Sequence, residues 1–136
     1  MEWTRHTVDV VQVDAGARGE LVAVVTDDDT ATALGSGSLP VLATPRLLAW
    51  CEAACCLALR DGLGDGTSSV GTTVRLEHLA PSAVGERVTA VAVLTAVDAR
   101  RLTFEVDVSD AGGAVVARGT LERVVVDDAR FLARLG

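Results

Sequence analysis

The stretch LLAWCEAACCLAL, Leu47 to Leu59, decides the fold. Twelve of its thirteen residues are uncharged, and most are apolar. A helix that is apolar on nearly every side must be buried on most of them. Thr44-Pro45 ahead of it reads as an N-cap followed by proline at the first helical position. The helix continues to about Arg60 and stops at the glycine-rich DGLGDG. An antiparallel sheet curled around this helix would supply the burial it needs.

The flanks provide that sheet. Thr7–Val13 and Glu20–Thr26 alternate apolar and polar residues and read as strands, with DAGARG as the turn between them. Asp27–Pro40 is a long loop with room for a short helical turn, and loops of that length in compact domains often serve as lids or binding segments. After the helix come four strands, Ser68–Leu79, Arg87–Val97, Leu102–Ser109 and Ala114–Val126, separated by the turns PSAVGE, DARR and DAGG. DDARFLARLG closes the chain as a short helix. Two strands, one long helix and a four-strand meander make an α+β protein. The order matches the hotdog arrangement, a curved antiparallel sheet wrapped around one long central helix, as a single domain over residues 1–136.

Composition narrows the function. A chain of 136 residues with 49% hydrophobic residues supports one packed core, and with only 3% aromatics that core is built of Val, Leu and Ala. Every basic residue is Arg, so lysine Schiff-base chemistry is excluded. The net charge of −7, with no Arg cluster along one face, argues against a nucleic-acid partner. MEWTRHTVDVV lacks an apolar signal core and no segment is long enough to span a bilayer, so a cytoplasmic protein without a membrane partner is expected. Cys51, Cys55 and Cys56 crowd one helix in an odd number, which suits packing in a reducing compartment better than disulfides. His6 and His78 have no paired ligand spacing, so no metal is expected.

The exception inside the apolar helix is Glu52. Leu48, Glu52, Cys55 or Cys56, and Leu59 share a helical face, which sets the carboxylate in an apolar stripe. Leaving it ionised, buried and unpaired would cost several kcal/mol, on the order of a buried ion's desolvation penalty. Either an Arg from across a subunit boundary pairs with it, or it is a catalytic base or nucleophile made reactive by burial. His78 falls at the end of a strand whose Val70, Thr72, Val74 and Leu76 alternate onto the same, inward face. Thr44 lies eight residues before Glu52, ~12 Å along the axis at ~1.5 Å per residue. The two need not touch within one chain; a substrate or a second subunit could unite them.

LATPRLLAWCEAAC, SSVGTTVRLEHLAP and RGTLERVVVD together resemble the fluoroacetyl-CoA thioesterase family of hotdog proteins, over roughly Val41 to Arg134. The resemblance implies hydrolysis of a short acyl-CoA or related acyl thioester, with CoA as part of the substrate and no separate cofactor. It implies catalytic roles for Thr44, Glu52 and His78, and substrate contacts from Gly71 and Arg123. Glu52 would attack the thioester carbonyl or activate water, Thr44 would position the carboxylate, and His78 would act as general acid/base. It also implies a homodimer, which the exposed sheet edge expected of a single small domain independently favours. The chain departs from the family before Thr44. The fluoroacetyl-specific enzyme has aromatic lid residues there, whereas LGSGSLPVLA has none, which points away from fluoroacetyl selectivity. The competing reading is a non-catalytic hotdog protein that binds acyl-CoA or another small ligand.

Overall fold

The computed structural model describes residues 11–136. Strand β1, Arg18–Val24, precedes a 3-10 turn at Asp27–Asp29 and a short helix α1, Ala31–Leu34. The long helix α2 spans Thr44–Leu59, and strands β2, Thr67–His78, β3, Arg87–Asp98, β4, Arg101–Asp110, and β5, Val115–Asp127, follow. A final helix α3 covers Asp128–Ala133. All strand pairs are antiparallel, in one five-stranded sheet of order β1-β3-β4-β5-β2. The expected strand Thr7–Val13 lies largely outside the described residues; within them Val11 makes an isolated antiparallel bridge to Leu63.

The sheet curls around α2, as the hotdog reading expects. One row of the helix, Leu47, Cys51, Ala54, Cys55 and Leu59, is fully buried against inward residues such as Val88, Leu94, Leu102, Phe104 and Leu121. Each large aliphatic side chain removed from water in this way contributes about 1.5–3 kcal/mol. At β1 the approach is close enough that a side chain in place of Gly19 would overlap the Ala54 carbonyl, so glycine against Ala54 and Ala58 permits backbone-to-backbone packing.

The four strands after α2 do not form a simple meander. β3, β4 and β5 are sequential neighbours, but β2 pairs with β5 at the far edge of the sheet. Residues 79–86 therefore carry the chain across to the other side. Among the described residues β2 is left with one unpaired edge. β2 also contains a bulge. Gly71 pairs with Arg123 and Thr73 with Glu122, so Thr72 is an extra residue, and its hydroxyl donates to the Glu122 carbonyl at 3.2 Å.

That bulge corrects the expected face of β2. Before it, Ser69 and Gly71 are inward, as partners of the inward Val125 and Arg123; after it, Val74, Leu76 and His78 are inward. Val70 and Thr72 turn to the outer face, so they do not share a side with His78. Without the extra residue, Gly71 and His78 would face opposite ways, because side chains alternate with period two.

Candidate active site

The helix α2 carries the first site residue at its opening turn. Its N-cap is Ala43, in an extended conformation, while Thr44 and Pro45 are already helical. Thr44 is thus not the cap, and its hydroxyl is not spent on the helix backbone. It makes a 2.8 Å hydrogen bond with Nδ1 of His78, at the end of β2. The other imidazole nitrogen, Nε2, is buried with no hydrogen-bond partner among the described residues. Burial holds the His78 pKa below its usual 6.5, with the Ala80 backbone only partly opposing the shift. The neutral imidazole is therefore favoured around pH 7, which suits a proton acceptor.

The Thr44–His78 pair lines a cavity of about 300 Å³ together with Ala31, Ser36, Val41, Leu42 and Leu79. Among the described residues no aromatic lines it. Above it, residues 35–40 are exposed, and Gly35 sits in the left-handed region at φ 73°.

Two turns further along α2 lies the second group. Glu52 is not on the fully buried row of the helix but one residue off it, on the flank with Leu48 and the exposed Cys56. Its side chain is 37% exposed, so the carboxylate is not sealed in the core. A partner lies within the same chain: Nη1 of Arg123 donates to Oε2 at 3.1 Å. Arg123 is only 6% exposed and is held twice more, with Nε donating to the Ser69 hydroxyl and Nη2 to the Ser69 carbonyl, each at 2.8 Å. A bare, buried guanidinium would be costly, and these three acceptors satisfy it.

Gly71 belongs to this group. A Cβ there would lie 2.7 Å from Oε2 of Glu52 and 3.6 Å from Nη1 of Arg123, so glycine lets the carboxylate sit against the strand where a side chain would push its end aside. Gly71 is itself exposed, so its backbone is open to a ligand. Among the described residues no hydrogen bond reaches Oε1 of Glu52, which leaves that oxygen available for chemistry.

One chain therefore holds two separate clusters, Thr44–His78 and Ser69–Gly71–Glu52–Arg123. They lie ~12 Å apart along α2 at 1.5 Å per residue. Along β2, the seven positions from Gly71 to His78, less one for the bulge, span ~20 Å at 3.3 Å per residue. All five residues expected from the sequence line one of these two clusters. Ser69 was not among them, although strand alternation alone sets it on the same side as Gly71, two residues away.

The thiols stand apart from this chemistry. Burial pushes Cys51 and Cys55 up to about 12, with the Glu52 charge adding to the shift at Cys51, so neither forms a thiolate near neutral pH. Among the described residues no three His, Cys, Asp or Glu side chains group to hold a metal ion. Nor is any helix among the described residues long and apolar enough to cross a membrane.

The profile of the fluoroacetyl-CoA-specific thioesterase family matches residues 25–129, which contain both clusters. The chain belongs to this family. It is 35% identical to the fluoroacetyl-CoA thioesterase of Streptantibioticus cattleyicolor over 95 residues, 70% of this chain and 68% of that protein. Among solved structures, a fluoroacetyl-CoA-specific thioesterase variant with fluoroacetate and CoA bound superposes with a TM-score of 0.81 and 31% identity, over 88% of this chain and 99% of the other. A hot-dog-like protein of Thermanaerovibrio acidaminovorans gives a TM-score of 0.82 at 28% identity, covering 91% of each chain. These matches establish the hotdog fold, and family membership makes the chain an acyl-CoA thioesterase.

Proposed function

We propose that this thioesterase hydrolyses acyl-CoA in a homodimer, with Glu52 of one subunit acting beside Thr44 and His78 of the other. The observation that carries this reading is the ~20 Å separation along β2 of two clusters that the chemistry needs together. Among the described residues β2 has a free edge twelve residues long, and the inward Val74 on it is 45% exposed. Long unpaired strand edges of this kind are normally covered. Two β2 edges paired antiparallel about an axis near Val74 and Arg75 would bring His78 of the partner subunit to within about a residue of Gly71, next to Glu52. The half-buried Glu52 would then be further desolvated by the partner.

In that arrangement Oε1 of Glu52 attacks the thioester carbonyl carbon or removes a proton from the attacking water. On the first route the C–S bond breaks as CoA thiolate leaves a Glu52–acyl anhydride, which water then cleaves to the free acid and the Glu52 carboxylate while His78 takes that water's proton; on the second the water adds to the carbonyl as Glu52 takes its proton, and the C–S bond breaks to give the acid directly. On either route the proton taken from water passes through His78 to the CoA thiolate. Thr44 holds the imidazole by its Nδ1 and so fixes which nitrogen works. The exposed backbone of Gly71 is the contact proposed for the thioester oxygen. Arg123, buried behind Glu52, acts on the substrate chiefly through that carboxylate. CoA enters as part of the substrate and no cofactor is required. The three cysteines are free thiols, in keeping with a cytoplasmic setting.

Mixing inactive subunits tests the shared site. Glu52→Gln and His78→Ala proteins, co-refolded in equal amounts, form about half mixed dimers, each with one intact site of two. About a quarter of wild-type activity should return. No recovery from a demonstrated mixed dimer would place the whole site within one chain and end this reading.

The acyl range follows from the cavity. Among the described residues its lining has no aromatic, and the Gly-Ser segment above it offers no rigid apolar cover. A pocket that discriminates by small differences in apolar contact gains only ~1–3 kcal/mol per methylene. Hydrolysis of acetyl-CoA and longer or branched acyl-CoAs is therefore expected beside fluoroacetyl-CoA. A fluoroacetyl-over-acetyl ratio in kcat/KM above ~10⁴, far beyond that discrimination, would reveal a gate elsewhere.

A further inference from the structure

We infer that Ser69 is the positioning residue of this hydrolytic site, setting the Arg123 guanidinium so that Glu52 presents one free oxygen to the substrate. The inference rests on the thioesterase reading above.

Ser69 and Gly71 flank Val70 on β2, upstream of the bulge, and both face the helix. Ser69 supplies two acceptors to one side chain: its hydroxyl takes the Nε proton of Arg123 and its carbonyl takes one from Nη2, both at 2.8 Å. Two bonds from one residue to two nitrogens fix both the position and the rotation of a planar guanidinium. The only nitrogen left to point at α2 is Nη1, and it meets Oε2 of Glu52. Gly71 leaves room for that contact and for no more, since a Cβ there would crowd Oε2. The carboxylate is therefore held by one oxygen while the other stays open. Site groups need to be held within about 0.5 Å by a supporting shell, and Ser69 is that support here.

Removing the hydroxyl would leave the Nε proton of a 6%-exposed Arg without an acceptor, in a place water cannot easily fill. The guanidinium would swing to recover a partner and carry Glu52 with it. The backbone carbonyl of Ser69 survives any substitution, so the loss should be partial. Ser69→Thr keeps the hydroxyl and suits a strand.

The test compares wild type, Ser69→Ala and Ser69→Thr by steady-state hydrolysis of a short acyl-CoA panel and by ¹H–¹⁵N spectra of the arginine Nε–H groups, with melting curves to confirm folding. Ser69→Ala should lower kcat by roughly tenfold, with KM changed by less than about threefold, since orientation of a reacting group matters more in the transition state than for binding. Ser69→Thr should restore kcat. The Arg123 Nε–H signal, assigned by its loss in Arg123→Gln, should be protected from exchange in wild type and Ser69→Thr and shifted or exchange-broadened in Ser69→Ala. A folded Ser69→Ala with wild-type kcat, a kcat loss that Ser69→Thr does not repair, or an unmoved Nε–H signal overturns the positioning role while leaving the thioesterase reading intact. A wild-type protein that hydrolyses none of the panel overturns the thioesterase reading itself, and the role of Ser69 with it, whatever the spectra show.

Discussion

The two polar clusters along α2 draw on the same helix and the same strand, yet they are held in different ways. Thr44 and His78 share a single hydrogen bond at the wall of an open cavity, and one imidazole nitrogen has no partner among the described residues. Glu52 and Arg123 form a charged pair, pinned from behind by both acceptors of Ser69 and shaped by the missing side chain of Gly71. The first cluster is the proposed proton carrier, held by that one hydrogen bond to Thr44. The second is a rigid, pre-oriented carboxylate with one free oxygen. Catalysis needs both qualities, since electrostatic and nucleophilic groups gain from rigidity whereas a group that takes and returns a proton must meet two partners in turn.

The sharpest way to break this comparison is at the carboxylate. Glu52→Gln keeps the shape and a hydrogen bond to Arg123 but removes the charge and basicity, so kcat should fall by at least ~10²-fold in a folded protein. Near-wild-type turnover would make the rigid cluster purely structural and leave His78 as the sole chemical group.

His78→Ala should cost about 10²-fold, and it should also remove an acid limb from the rate profile. Burial lowers the folded-state pKa of His78 below 6.5, so the neutral base is lost only as pH falls beneath that ordinary value. The sign for stability follows. Between the depressed folded pKa and 6.5 the unfolded chain binds more protons than the folded one, so stability rises with pH across that window and is complete above 6.5. Melting curves of wild type and His78→Gln from pH 4.5 to 8 should diverge in that sense; a wild type that gains stability as pH falls through the window would contradict a buried, neutral imidazole.

Gly71→Ala should have the smallest effect of the three, about tenfold in kcat, because a methyl 2.7 Å from Oε2 displaces the carboxylate without deleting it. Its crystal structure or Arg Nε–H spectrum should show a longer Glu52–Arg123 separation. An unchanged ion pair with unchanged kinetics would mean that the strand simply yields, and that the second cluster is no more rigid than the first.

Much of this protein was legible in the chain before it folded. The all-round apolar run of α2, the alternating strands after it and the turn residues between them determined a helix wrapped by an antiparallel sheet, because burial periodicity is a local property of sequence. An unexplained Glu in that helix and a His at a strand end marked the proposed catalytic groups by residue type alone. Three things depended on tertiary structure. The partner of Glu52 proved to be Arg123, seventy-one residues away, since pairing across a sheet is set by register and not by local pattern. Thr44 proved to be past the helix cap, because Ala43 adopts the extended cap conformation and frees the hydroxyl for His78. The bulge at Thr72 put Gly71 and His78 on one face, where strict alternation would have separated them. A single extra residue in a strand leaves almost no trace in composition, but it reverses every side chain beyond it, and only pairing with β5 reveals where it falls.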